Sequence, residues 1–236
     1  MEPRPEVAFK DIDVKNAVET FMEIVDFRRS VRAYTPKAVS EEDLRMILES
    51  ARWAPTGENA QPCRYIVVRD EKNKEFLATI AKRGSGRRFT GEYLSKQMQR
   101  RFESLQDEEK RREVFRKLTS GEVSGFASQA DVLIIIIGQK EVWDLPYDAA
   151  AAIEHILLAA TAAGLGACWL ISPCIDIRDE IKVNEYFDIP DDYKAISIIS
   201  IGEPAGSYPR ARPRLLLEEI IFNEKFGKAY YEKDAK

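Results

Sequence analysis

Four short runs in this 236-residue chain bring together groups that could bind a charged, flat ligand. The first is Arg28-Arg29-Ser30-Val31-Arg32. Its alternation sets Arg28, Ser30 and Arg32 on one side of an extended turn. A guanidinium grips phosphate oxygens bidentately, so such a turn reads either as a phosphate cradle or as a solvated basic loop. The second run, Ala54-Pro55-Thr56-Gly57-Glu58-Asn59-Ala60-Gln61-Pro62, presents Thr, Asn and Gln from backbone stiffened by two prolines. Neutral amides suit the edge of a heterocycle that both donates and accepts hydrogen bonds. The third, Gly164-Leu165-Gly166-Ala167-Cys168-Trp169-Leu170-Ile171-Ser172-Pro173, turns tightly from a helix into a strand, whose end offers backbone amides. The fourth follows Gly202-Glu203-Pro204 and carries Arg210, Arg212 and Arg214.

Singly these signals are weak. In this order and spacing they resemble the FMN-dependent nitroreductase family over about Phe21 to Ile221. The resemblance implies an α+β fold, a mainly antiparallel sheet flanked by helices, and a homodimer that holds FMN in two shared sites. It implies that Arg28 and Ser30, with Arg29 and Val31 beside them, contact the phosphate and ribityl chain. Arg32 would lie nearer the pyrimidine edge, and Arg212 and Arg214 would complete the phosphate site. Pro55, Thr56, Gly57 and Asn59, with Gln61 a weaker candidate, would reach the ring from the neighbouring subunit. Ile171, Ser172, Pro173 and Cys174 would pass the ring near N5. Pro173 has no N–H, so an amide contact there falls to Ser172 or Cys174. Family chemistry is ping-pong: NADH or NADPH reduces the flavin, then a small nitroaromatic, quinone or related acceptor takes the electrons. A reductive dehalogenase similar to iodotyrosine deiodinase is the alternative on the same fold, and Glu92, Tyr93 and Lys96 are loosely similar to that group's lid.

The elements that must position these runs can be read from periodicity. Helices are expected over Asn16–Phe27, from the Ser40 cap to Ala51, over Lys72–Lys82, over Tyr147–Ala163 and from the Asp176 cap to Asn184. A short helix is expected near Leu217–Asn223. Strands are expected at Tyr65–Arg69, Val132–Gly138, Cys168–Ser172 and Ala195–Gly202. The unbroken apolar run at Val132–Gly138 marks a strand buried on both faces. Arg83–Gly91, glycine-rich and basic, is expected to be a loop. The small residues of Ala149–Ala163 suggest close packing against a helix of a second subunit.

One domain over 1–236 is expected, with 83–126 as a helical excursion. Lys82–Lys117 carries twelve Lys/Arg against six Asp/Glu, a local +6 in a chain of net charge −4. Glycines at both ends of the excursion suggest a lid, in which Arg87, Arg88 and Tyr93 would meet an anionic substrate. A nucleic-acid role for this stretch is disfavoured by its interleaved acids and the chain's overall negative charge. No GxGxxG, GxxxxGK[ST] or HExxH occurs. Three cysteines without a CxxC pair and a single histidine, His155, give no metal-binding pattern. His155 and Cys174 are expected to pack rather than react. The polar N-terminus shows no leader, and Glu154 and His155 interrupt the Ala-rich apolar stretch, so a cytoplasmic protein off the membrane is expected.

Overall fold

The computed structural model describes residues 14–103 and 105–231, so most of the polar N-terminal stretch read above lies outside the described residues. In chain order the elements are α1 (Val14–Phe27), α2 (Glu41–Arg52), β1 (Cys63–Val68), α3 (Glu71–Glu92), α4 (Lys96–Glu103), α5 (Glu108–Thr119) and β2 (Val132–Gln139). They continue with α6 (Leu145–Ala162), β3 (Gly166–Leu170), α7 (Ser172–Ile175), α8 (Ile177–Tyr186), β4 (Tyr193–Gly202) and α9 (Leu217–Ile220). The four strands form one sheet in the order β1-β2-β4-β3, each pair antiparallel.

β2 is the middle of the molecule because its side chains feed both faces of the sheet. Leu133, Ile135 and Ile137 pack with Leu77 and Ile80 of α3. Val132, Ile134 and Ile136 pack with Ile47 of α2 and with Ile153 and Ile156 of α6. Each such side chain contributes about 1.5–3 kcal/mol when removed from water, which explains the unbroken apolar run. α2 begins as its sequence foretold: Ser40 Oγ accepts the Asp43 amide at 3.0 Å. Part of the small-residue stretch of α6 serves the fold of its own chain. Ala149, Ala152 and Ala160 are buried within the same chain, where they let α6 lie close to the sheet and to α2.

Arg28–Tyr34 extends the sheet beyond β3. Ser30 bridges Ala167 in parallel, the Val31 amide donates to the Ala167 carbonyl at 3.0 Å, and Tyr34 bridges Pro204. Gly166 is required at this crossing, since a Cβ there would lie 2.7 Å from the Val31 side chain.

Two local expectations are corrected. Arg83–Gly91 is helix, the second half of α3. Gly84 and Gly86 each weaken a helix by about 1 kcal/mol relative to Ala, but here packing decides. A Cβ on Gly84 would stand 2.1 Å from the Ser172 carbonyl oxygen, and one on Gly86 would stand 2.6 Å from that of Thr119. These glycines let α3 touch its neighbours closely. The strand expected at Cys168–Ser172 stops at Leu170, because Pro173 sits in the first turn of α7.

Candidate functional site

A cleft of about 1370 Å3 opens between the end of the sheet and the helical excursion. Arg28, Arg29, Ser30 and Arg32 line one side, with Arg210, Arg212 and Arg214 beside them; Arg88 and a row of apolar side chains line the other. The two arginine segments meet because Phe27 stacks on Tyr208 at 4.6 Å and the Ala205 amide donates to the Ala33 carbonyl at 2.9 Å. Seven arginines and no carboxylate therefore face this cavity among the described residues. Like charges gathered in one cavity repel one another, so the arrangement favours an anion there.

Three of these arginines are held by backbone carbonyls. Arg29 donates to the carbonyls of Asp26 and Arg28, and its Nε is buried with no partner. Arg32 donates to the Ser30 carbonyl at 3.2 Å, and Arg214 to that of Arg212 at 3.1 Å. Two reach acids outside the cavity: Arg28 lies 3.7 Å from Glu154, and Arg88 lies 2.7 Å from Glu92.

The floor holds a chain of buried hydroxyls. Ser172 Oγ donates to the Ala81 carbonyl at 3.3 Å, Ser85 Oγ donates to Ser172 Oγ at 3.0 Å, and Ser124 Oγ lies 2.5 Å from Ser85 Oγ. Cys168, also in the lining, has its thiol pushed up by burial, partly offset by the charge of Arg32 and a hydrogen bond with Ser30. Beneath it, Tyr34 Oη sits 2.8 Å from both the Val31 carbonyl and Ser200 Oγ, and burial raises its pKa. Trp169 and Ile171 are exposed at the cleft wall and offer apolar surface to a planar ligand.

Of the residues singled out in the sequence, Arg28, Arg29, Ser30, Arg32, Arg88, Ile171, Ser172, Arg212 and Arg214 come together here. Val31 is buried beneath them, and Pro173 and Cys174 are buried in α7, where burial pushes the Cys174 thiol up. The Cys174 amide is engaged by the Ile171 carbonyl at 3.0 Å. Pro55, Thr56, Gly57, Asn59 and Gln61 lie outside this cleft, on an exposed loop at the N-terminus of α6. There the Gly57 amide donates to Asp148 Oδ1 at 3.1 Å. Glu58, Asn59 and Gln61 hold φ of 51°, 57° and 49°, a left-handed conformation that costs non-glycine residues about 1–3 kcal/mol each.

Arg87 faces away from the cleft, bonded to Asp179 and within 3.0 Å of Asp176. Tyr93 packs edge-on against Phe102 and Phe115 behind the wall. His155 Nδ1 lies 2.8 Å from the Ser50 carbonyl, a packing role between α6 and α2. Ser85, Ser124, Met98 and Phe102 line the cleft without having been singled out as site residues; the sequence signal for Ser85 was masked by its glycine neighbours.

Residues 25–203 match the sequence model of the Nitroreductase family. A protein of Archaeoglobus fulgidus provisionally named NADH dehydrogenase/NAD(P)H nitroreductase is 28% identical over 193 residues, covering 79% of this chain and 87% of its own. An iodotyrosine deiodinase of Thermotoga neapolitana is 28% identical over 189 residues, covering 78% of this chain and 89% of its own. Among solved structures, an FMN-dependent nitroreductase of Clostridium difficile R20291 superposes with a TM-score of 0.65 at 23% identity, over 87% of this chain and 99% of that one. The matched span holds all four strands, the Arg28–Arg32 edge and the excursion wall of the cleft, and the chain belongs to the nitroreductase family.

Proposed function

We propose that the chain is an FMN-dependent oxidoreductase driven by NADH or NADPH. The carrying observation is the cleft itself: seven arginines, no carboxylate and exposed Trp169 and Ile171 in one cavity. A phosphorylated, planar, redox-active group needs this donor set. The buried, unpartnered Nε of Arg29 fits it further, because a buried donor left unpaired costs about 1–3 kcal/mol until a ligand meets it. The volume exceeds the roughly 300–1,000 Å3 of ordinary small-molecule pockets, which leaves space for a second molecule beside the flavin. Bound there, FMN would supply two-electron redox chemistry between NADH or NADPH and a small nitroaromatic, quinone or related acceptor, the two partners alternating at the site.

The chain's own residues then have defined tasks. Arg28, Arg29, Arg212 and Arg214 hold the phosphate, and Ser30 hydrogen-bonds the ribityl chain. Arg32 places a cation where negative charge on the ring is stabilised. The Ser172 amide takes the role left open between Ser172 and Cys174, because the Cys174 amide is already engaged. The excursion at 83–126 closes one side of the cleft within a single functional unit.

The reading includes a homodimer. Val18, Phe21, Met22 and Val25 leave one face of α1 apolar and exposed, and Leu215, Leu216, Leu217, Ile220 and Phe226 are exposed in the tail. A patch of this size is covered by a partner, here a second copy. The strained Pro55–Gln61 loop, remote from its own cleft, is then placed to complete the partner's. The three unpaired cysteines suit the reducing cytoplasm, and no helix among the described residues is long and apolar enough to cross a membrane.

The test is direct. The purified protein is denatured and the released flavin identified, then the intact protein is titrated anaerobically with NADH and NADPH. FMN in stoichiometric amount, bleached by either nucleotide, is expected. Protein that neither carries nor takes up FMN sinks the reading.

A further inference from the structure

We infer that the acceptor side of the cleft selects a flat, apolar molecule bearing one carboxylate, and that Arg88 is the residue that reads the charge. The inference rests on the FMN reading above, which assigns Arg28, Arg29, Arg32, Arg212 and Arg214 to the cofactor. They come, with Arg210, from two adjoining segments, Arg28–Arg32 and Arg210–Arg214, and the four on the phosphate suffice for it. Arg88 stands apart from them on α3.

Ser85, Arg88 and Phe89 fall at i, i+3 and i+4, so one face of α3 presents a hydroxyl, a guanidinium and an aromatic ring to the cavity. Facing them are Met98, Phe102, Val114 and Leu118 from α4 and α5. Arg88 is the one charged residue described on this wall. A lone guanidinium in apolar surroundings favours a carboxylate, which it meets bidentately, over any neutral group. The dinucleotide's chain of phosphates and riboses fits this wall poorly, being polar along its whole length.

Arg88 is also free to exchange partners. Its bond to Glu92 is an i,i+4 pair with both side chains about two-fifths exposed (42% and 41%). Solvent screens such pairs, and a ligand carboxylate can replace Glu92 at small cost. Arg87, one residue earlier, has no such freedom: its partner Asp179 is fully buried.

The experiment compares 4-nitrobenzoate with its methyl ester, which keeps the ring and removes the charge. Binding of each to the protein as purified is measured by calorimetry without reductant, and flavin content is read separately from absorbance. The acid is expected to bind at least about tenfold tighter than the ester, the factor that one charge-assisted contact supplies. In Arg88→Gln the acid-to-ester ratio should fall to about one, and in Arg88→Lys part of it should return. Equal affinity of acid and ester in the parent protein overturns the proposal, as does a ratio that survives Arg88→Gln. A third arm titrates NADP+: if Arg88→Gln weakens NADP+ and leaves the ratio intact, Arg88 serves the reductant and the proposal fails. Absence of flavin absorbance would instead strike the FMN reading, while the acid-to-ester ratio still decides the role of Arg88.

Discussion

Arg87 and Arg88 adjoin on α3 and meet different partners, Asp176 and Asp179 for the first and Glu92 for the second. Asp179 has no exposed surface, and Arg87 bonds one of its oxygens while the other has no partner. Removing one partner of a buried pair strands the other charge, so Arg87→Ala should lower unfolding stability by about 3 kcal/mol, the low end for such losses because Arg87 is partly solvated. Urea titration checks this, and a loss below about 1 kcal/mol contradicts it. Arg214→Ala should leave stability nearly unchanged and weaken FMN binding by about 1.5–3 kcal/mol, the range for hydrogen bonds to a charged group. Equilibrium dialysis of FMN against the variant decides, and parent-like affinity would misplace the phosphate site. The spacing of Arg28, Ser30 and Arg32 was legible because an extended edge has a period of two and Val31 supplies its buried phase. The fates of Arg87 and Arg88 were not legible. Each depends on helical phase in a stretch whose glycines argued against a helix.

α3 and β1 carry the tests that belong to elements. α3 runs straight through Gly84 and Gly91, whose surroundings differ: the first lies against the Ser172 carbonyl, the second has nothing within 4 Å. Gly84→Ala should therefore destabilise by about 1–3 kcal/mol through overpacking. Gly91→Ala should stabilise by about 0.5 kcal/mol through helix propensity. The same sign for both in chemical denaturation would mean that propensity alone governs the helix. On β1, burial pushes Cys63 up to about 11 and Tyr65 up to about 12. Both groups hold their proton more tightly folded than unfolded. Their stabilisation is complete below the ordinary values near 9 and 10, and is lost as pH rises towards 11 and 12. Melting temperature should fall across that window, less steeply in Tyr65→Phe. An unchanged slope in that variant contradicts the assignment. β2 and β4 were readable because short, isoleucine-rich apolar runs suit strands buried on both faces. The continuation of α3 was not, because the atoms that reward Gly84 and Gly86 for staying helical come from Ser172 and Thr119, far along the chain.

For the molecule as a whole, the apolar face of α1 sets the expected assembly. Phe21→Glu should move a homodimer towards monomer, raising the dissociation constant at least about tenfold for one buried charge without a partner. Sedimentation at several concentrations measures it; a parent protein already monomeric at all of them would overturn the two-copy reading. The sequence pointed to a dimer through the small residues of α6, of which Ala149, Ala152 and Ala160 are buried in the core of their own chain. The cleft has one more consequence. Its two arginine segments come from the opening and closing stretches of the described chain, joined by Thr35 and Glu203 across 168 residues. A phosphate gripped by both closes the polypeptide into a loop without a covalent bond, and ligand at a hundred times its dissociation constant adds about 2.7 kcal/mol to that closure. During synthesis Arg210–Arg214 emerges after every strand of the sheet, so a nascent chain has half a site and no grip on the anion. A grip by both segments would therefore have to wait until the last strand of the sheet has been made.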